Sequence, residues 1–140
     1  MQTNVQTRSG NRIVLELDGK QIGLIQSARS SDGYGNEPAS GVGDIHVQEY
    51  VPTMARHTIN VSAMVLRTKN MRDAGLLPEN GDAALKGNVF DIVTYDKDTN
   101  QVIRAYRKCS YDSGDVDVSK HQIVVHSAVF NALEVSGKGV

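Results

Sequence analysis

Residues 57–66 constrain the fold more than any other part of the chain, because apolar and polar side chains alternate along the whole stretch. The two sets fall on opposite faces: Ile59, Val61, Ala63 and Val65 against Thr58, Asn60, Ser62 and Met64. A period of two is typical of a β-strand with one buried face. At about 3.3 Å per residue the strand would be roughly 33 Å long, which exceeds the usual length in globular proteins. A long strand with a polar face invites pairing with a second copy of the chain, so the pattern indicates assembly rather than catalysis.

The composition fits one small domain and speaks against several classes of protein. The chain has 140 residues, a formal net charge of -1, no Trp and 5% aromatic residues. Tight nucleic-acid binding needs a basic surface and stacking aromatics, and this composition offers little of either. The N-terminus lacks the apolar centre of a signal peptide, and no apolar run reaches membrane-spanning length. We therefore expect a cytosolic, soluble chain with no membrane segment.

Hairpin and loop signals fill the region before this strand. Residues 12–17 and 21–25 read as a hairpin, because Asp18 and Gly19 between them suit the positive φ of a tight turn. Residues 28–43 are rich in Gly, Ser and Pro, and we interpret them as a long loop without regular structure.

The rest of the chain also reads as mainly β. Residues 88–95 and 101–108 predict a second hairpin, and residues 121–135 predict a long final strand. Between them, the acidic residues 110–119 read as a connection. One short helix is predicted at residues 68–75, capped by Thr68 and stopped by Gly75.

The metal-binding candidates are weak. Asp96, Asp98 and Asn100 match the start of a calcium loop, but Gln101 and Arg107 stand where the loop needs Gly and a bidentate Glu. A hairpin turn explains them better.

The histidines do not form a metal set either. His121 and His126 fall on opposite faces of a strand, and His46 and His57 lack a third ligand at suitable spacing. We predict no metal site and no cofactor.

Other chemical signals are also weak. No nucleophile elbow or phosphate-binding loop is present in the sequence. Arg104, Arg107 and Lys108 around Tyr106 form a basic patch that fits either phosphate contact or, more simply, a solvated face or an intersubunit ion pair. The lone Cys109 is interpreted as a strand-end residue rather than as a reactive thiol. We predict no catalytic residues and no enzyme.

The order of elements resembles the tail tube protein of contractile-tailed bacteriophages, whose fold is related to the type VI secretion tube protein. The resemblance spans nearly the whole chain and rests on element order rather than on a fingerprint motif. The segments that carry it are the opening hairpin with residues 23–27, the loop into residues 43–45, the strand at 57–66 with the helix after it, residues 89–97, residues 106–111 and the long last strand.

The resemblance implies a mainly β fold, a small β-barrel or sandwich of packed antiparallel sheets with one short flanking α-helix. Copies would form hexameric rings in which strands of neighbouring subunits join into one continuous barrel around a lumen. Residues 1–140 would be a single tail-tube domain with an N-terminal arm at 1–11 and a C-terminal tail at 136–140. Residues 28–57 would make the contact between rings.

Two sets of site residues follow from this resemblance. The lumen-facing candidates are Gln48, Thr58, Asn60 and Ser62. The candidates for the contact between rings are Tyr34, Asp44, His46, Tyr50 and Arg56.

The implied function is structural: the inner tube of a contractile phage tail, a conduit for genome delivery through the host envelope. The implied partners are further copies of the chain, the tail sheath, baseplate and tail terminator proteins, with transient passage of double-stranded DNA. Assembly would take place in the host cytoplasm and the product would lie in the virion. Three alternatives stay open: the tube of a related contractile injection or secretion system, a small β-barrel nucleic-acid-binding module, and a small hydrolase or lipocalin-like enzyme.

Overall fold

The computed structural model describes residues 13–19, 24–64, 76–78 and 80–137. These residues form strands and one short helix, in the order β1 (Ile13–Leu17), β2 (Leu24–Gly33), β3 (Glu37–Ala39), β4 (Glu49–Val51), β5 (Arg56–Met64), α1 (Gly81–Leu85), β6 (Phe90–Asp96), β7 (Val102–Asp117), β8 (Val125–Ala132) and β9 (Glu134–Ser136). The predicted helix at 68–75 lies outside the described residues, and α1 is a five-residue turn of helix further along. Within the described part of the chain, no helix is long and apolar enough to cross a membrane.

One antiparallel sheet carries most of the strands, in the order β1-β6-β7-β8-β5-β2, with β9 also paired to β7. The sixteen-residue β7 belongs to both halves of this sheet. Its first half pairs with β6 and its second half pairs with β8. A strand shared in this way lets the sheet curl into a half-barrel, with β1 and β6 on one side and β8, β5 and β2 on the other.

The core lies between the two halves. Its largest fully buried side chains come from strands of both halves: Phe130, Leu17, Ile59, Ile92, Val61 and Cys109. The Phe130 ring meets Phe90 edge to face with the ring centroids 5.2 Å apart, and Tyr111 lies 6.2 Å away on another side. Burying each such side chain stabilises the fold by about 1.5–3 kcal/mol, so this cluster holds the curled sheet together.

The strand predicted at 57–66 is present as β5, and its alternation is confirmed over the described residues. Ile59, Val61 and Ala63 are buried. However, β5 pairs with β2 on one side and with β8 on the other. The prediction that this strand pairs with a second copy of the chain is therefore wrong. A strand pairs with another strand through its backbone N–H and C=O groups, and those of β5 are already hydrogen-bonded on both sides. A polar face alone therefore does not indicate that a strand can pair with another copy.

The first predicted turn is confirmed in its backbone geometry. Asp18 has a φ of 54° and Gly19 a φ of 74°, the positive values that a tight hairpin turn requires. Residues 20–23 lie outside the described part of the chain. In the part that is described, β1 pairs with β6 and β2 pairs with β5.

The prediction of a long loop at residues 28–43 is wrong at residues 28–33, which belong to β2, and at residues 37–39, which form β3. Strand β2 continues to Gly33 and pairs with β5 along its length. Its Ser, Arg and Asp side chains from residue 26 onward are exposed on both faces. Pairing with a formed strand outweighs weak local preference, which is why a polar sequence can extend here.

The second hairpin is confirmed as β6 and β7, but the connection predicted at residues 110–119 is wrong for residues 110–117. Strand β7 runs on to Asp117 and pairs there with β8. Gly114 permits this close pairing, because a Cβ at that position would lie 2.7 Å from the Ser127 carbonyl oxygen and 2.8 Å from the Tyr111 hydroxyl oxygen. The predicted final strand is shorter than expected, since β8 begins at Val125 and a break at Leu133 separates it from β9.

Candidate functional site

One face of the sheet is polar and lies opposite the core. It belongs to β2, β5, β8 and residues 110–117 of β7, which we call the four-strand sheet. Residues in register share a face, so Ser27, Ser62, Ser127 and Asp115 form one row, and Arg29, Asn60, Val129 and Ser113 form the next. We call this surface the polar face; its hydrophilic members are Ser27, Arg29, Ser31, Arg56, Thr58, Asn60, Ser62, Ser110, Ser113, Asp115, Asp117, Ser127 and Asn131.

The polar face contains three of the four residues predicted to face a lumen. Thr58, Asn60 and Ser62 lie on it along β5. The structure does not bring Gln48 to this face, because Gln48 lies next to β4, and its backbone N–H donates to the Ala39 carbonyl at 3.0 Å. β4 pairs only with β3 among the described strands, in a separate two-stranded sheet.

Sequence reasoning missed the acidic part of this face. Ser113, Asp115 and Asp117 lie on it because β7 extends further than predicted. Their alternation with Gly114 and Val116 is a period-two signal that could have identified the strand. Gly and Asp are depleted in β-strands, so the composition of this segment argued against a strand despite the alternation.

Both edges of the four-strand sheet lack a strand partner among the described residues. β2 is the last strand in the sheet order. On the other side, β6 pairs with β7 only up to Cys109, so the backbone of residues 110–117 has a partner on one side alone. Such edges are templates for another chain.

Residues 34–55 form a projecting segment, which we call the arm. β3 and β4 pair within it, and the Thr53 N–H donates to the Tyr34 carbonyl at 3.0 Å at its base. Gly35 there has a φ of 57°, and a Cβ on it would collide with the Thr53 hydroxyl oxygen. The arm exposes many large apolar side chains: Tyr34, Val42, Ile45, Val47, Tyr50, Val51 and Met54. An apolar surface of this kind indicates a contact surface.

The residues predicted to contact another ring lie on or beside the arm. Tyr34 and Tyr50 are 52% and 64% exposed. The Asp44 carboxylate accepts a hydrogen bond from the Gly41 N–H at 2.7 Å, so Asp44 shapes the turn at the tip, where His46 is also exposed. Arg56 is exposed at the start of β5.

A charged cluster ties both ends of the arm to the body. The Asp32 carboxylate lies 2.7 Å from His57 Nδ1 and accepts a hydrogen bond from Arg104 Nη2 at 2.9 Å. Asp32 precedes the arm, His57 follows it, and Arg104 comes from the opposite half of the sheet. The Tyr34 ring meets the His57 ring edge to face at 6.0 Å. We call Asp32, His57 and Arg104 the arm anchor.

The predicted basic patch is engaged within the chain. Arg104 belongs to the arm anchor, and its guanidinium also lies over the Tyr106 ring at 5.7 Å. Arg107 forms an ion pair with Asp91 at 2.9 Å. The Lys108 N–H donates to the same carboxylate, and this bond, followed by that from Arg107, lowers the pKa of Asp91. The patch therefore stabilises the β6–β7 pairing.

Most of the residues considered as metal ligands lie in a turn or in the core. Asp96 accepts a hydrogen bond from the Asp98 N–H at 2.9 Å, and Asn100 closes the turn with a φ of 56°, which confirms the hairpin turn. His121 lies in a turn and His126 is buried on β8. In the described ranges, no group of three or more His, Cys, Asp or Glu could hold a metal ion.

Cys109 is expected to resist alkylation in the folded protein. Its side chain is fully buried and its Sγ lies 3.4 Å from the Tyr106 carbonyl oxygen. Burial raises the pKa of this thiol to about 11, so the reactive thiolate is scarce at pH 8. Titration with a thiol reagent at pH 8 should show negligible modification without denaturant and one thiol per chain in guanidinium chloride. Rapid native modification would contradict the buried position.

The fold is similar to solved structures of a tail and of an injection-system tube, and one sequence relative is a phage virion protein. The tail of an empty GTA particle, refined with C6 symmetry, superposes with a TM-score of 0.69 at 12% identity, covering 95% of this chain and 100% of that one. The sheath-tube complex of PVC, an extracellular contractile injection system, gives a TM-score of 0.66 at 14% identity, covering 96% and 93%. "Virion protein 5" of Enterococcus phage phiEF24C is 28% identical over 130 residues, covering 93% of this chain and 92% of the relative.

A family model links the sequence to one family across almost its full length. The model described as the Phi812 tail tube protein matches residues 2–136. This match does not favour a nucleic-acid-binding module or an enzyme of the hydrolase or lipocalin type. The chain belongs to the Phi812 tail tube protein family.

Proposed function

We propose that copies of this chain close into hexameric rings, that the rings stack into the hollow inner tube of a contractile phage tail, and that the polar face lines the channel. The observation that carries this proposal is the four-strand sheet. One of its faces packs on the core through β5 and β8, the other is polar, and both of its edges are unpartnered in the described residues. In a ring of side-by-side copies, the edge strands of neighbouring copies would pair through their backbone hydrogen-bonding groups, and the polar faces would enclose a channel. The six-fold symmetry of the GTA tail supports the subunit number.

The side chains of the polar face suit a DNA conduit. Its cations, Arg29 and Arg56, lie in different rows, Asp115 and Asp117 are its acids, and most of the remainder are hydroxyl and amide groups. Phosphate binding depends on clustered cations, so a wall of this kind would not hold DNA tightly. Double-stranded DNA would pass without specific binding.

The arm is proposed to connect one ring to the next. It projects from the body and exposes apolar side chains that a ring stacked above or below would bury. The N-terminal arm at 1–11 and the tail at 136–140 are secondary candidates for the same contact within the single tail-tube domain.

The proposed partners lie around and at the ends of the tube. The PVC complex contains sheath and tube together, which supports a sheath partner here. Baseplate and tail terminator proteins would bind the two ends. The phage relative supports a virion location over an injection system, with assembly in the host cytoplasm. This role needs no catalytic residue, cofactor or metal.

Purified protein should polymerise when concentrated. Negative-stain microscopy is expected to show rings and hollow tubes, and the same sample should not retain DNA at moderate salt. A monomer at every concentration tested would count against the tube function. Salt-dependent DNA binding by that monomer would instead favour the nucleic-acid-binding module.

A further inference from the structure

The two unpartnered edges of the four-strand sheet are compatible with each other in direction. Each neighbouring pair of strands in this sheet is antiparallel. With four strands, β2 and the second half of β7 therefore run in opposite directions. If a second copy is placed beside the first, β2 of one meets residues 110–117 of the other as an antiparallel pair. A head-to-tail arrangement thus continues the hydrogen-bond pattern without a break.

The charges on the two edges are complementary. The β7 edge carries Asp112, Asp115 and Asp117 and has no cation between residues 110 and 117. On β2 the one cation is Arg29, which forms no ion pair with another described residue, while Asp32 is held in the arm anchor. Two β7 edges would repel each other through their carboxylates. The charges therefore favour β2 against β7 over a symmetric β7–β7 contact.

The rows of the sheet suggest which residues meet between copies. Within one subunit, Arg29 and Ser113 share a row through Asn60 and Val129. An interface that continues these rows places Arg29 of one copy opposite Ser113 of the next. Asp115 lies on the same face one row further along β7. Diagonal neighbours on adjacent strands are about 7–8 Å apart, a distance that a long arginine side chain spans.

We propose that Arg29 of one protomer forms an ion pair with Asp115 of the next protomer, and that this pair selects head-to-tail closure of the ring. The inference rests on the proposed function, since it concerns the contact between copies in the tube. The partner is a second copy of this chain. The contact is heterologous, so each interface has one Arg29 and one Asp115.

Charge reversal at each position tests the pairing. Arg29→Glu places a carboxylate against an acidic edge, and Asp115→Arg places a second guanidinium against that of Arg29. Each variant alone should need a roughly tenfold or greater increase in protein concentration to form rings, as seen by light scattering and negative stain. Lys97→Glu, on the β6–β7 turn, is the matched control and should assemble like the wild type.

Mixing the two variants gives the decisive result. In an equimolar mixture the two variants can alternate around the ring. The introduced carboxylate of one variant then faces the introduced guanidinium of the other at one interface, and the native Arg29 faces the native Asp115 at the next. Assembly should return to within about threefold of the wild-type concentration, since like-charge repulsion is removed at every interface of an even-numbered ring. A misfolded variant could not be rescued by mixing.

The contrary outcomes separate this inference from the tube function. Unchanged assembly of Arg29→Glu, or failure of the mixture to assemble while the wild type does, overturns the ion pair and leaves the tube intact. A wild-type protein that forms no ring under any condition counts against the tube function itself.

Discussion

Shortening the arm is expected to abolish tubes while leaving folded subunits that still form rings. The change replaces residues 40–48 with Asn-Gly. Ala39 and Glu49 lie opposite each other on β3 and β4, so a two-residue hairpin turn can join them. The change removes the exposed apolar side chains Val42, Ile45 and Val47 from the proposed contact between rings. Losing about 3 kcal/mol of apolar burial per arm would raise the concentration needed for stacking roughly a hundredfold.

Microscopy and thermal unfolding together check this prediction. The variant should keep a cooperative unfolding transition close to that of the wild type, because the tip is exposed and makes no contact with the core. A matched control shortens an exposed turn elsewhere, at residues 97–99 between β6 and β7. Normal tubes from the arm variant would exclude the arm tip as the contact between rings.

Replacing Asp32 with Asn is expected to destabilise the subunit by about 2 kcal/mol and to loosen the arm. The asparagine keeps the shape but loses the charge that holds Arg104 and His57. The side chains of His57 and Arg104 are 10% and 20% exposed, so the guanidinium would stay largely buried without its partner. Removing one member of a buried pair costs about 3–5 kcal/mol, and the 29% exposure of Asp32 reduces this figure.

Two measurements on the unassembled subunit test the anchor. Urea unfolding gives the change in unfolding free energy, and hydrogen exchange should show faster exchange of the Thr53 amide at the base of the arm. Asp82→Asn, at the exposed start of α1, is the matched control and should change stability by less than about 0.5 kcal/mol. Equal effects of the two changes would show that the anchor does not stabilise the arm.

Local alternation was enough to predict the faces of the central strands. Ile59 and Val61 on β5, and Ala128 and Phe130 on β8, are buried as their period of two requires. The polar residues between them share the opposite face because directly paired residues on neighbouring strands point to the same side of the sheet. The mainly β fold and the hairpin at 96–100 were also predictable, since both depend on short-range signals.

The extent of β7 and of β2 was not predictable from local sequence. Both strands continue into Gly, Ser and Asp residues whose own preference is for turns. Their pairing partners are other segments: β5 follows β2 only after the arm, and β8 follows β7 across residues 118–124. The hydrogen bonds that extend β7 and β2 therefore leave no signal in the residues that they extend. For the same reason Asp115 and Asp117 were missed.

The arm anchor could not be predicted from the sequence either. Asp32 and Arg104 are 72 residues apart in the chain. The curl of the sheet brings Asp32 on β2 within hydrogen-bond distance of Arg104 on β7. A single aspartate in a Ser-rich segment and a single arginine in a basic strand carry no pattern that links them.

A cryo-EM reconstruction of tubes assembled from this chain would show which face lines the channel and which strands meet between protomers. We expect Asn60, Ser62 and Asp115 to line the central channel and β2 of each protomer to pair with residues 110–117 of its neighbour. A wall with this face turned outward, or covered by another part of the same subunit, would contradict this expectation.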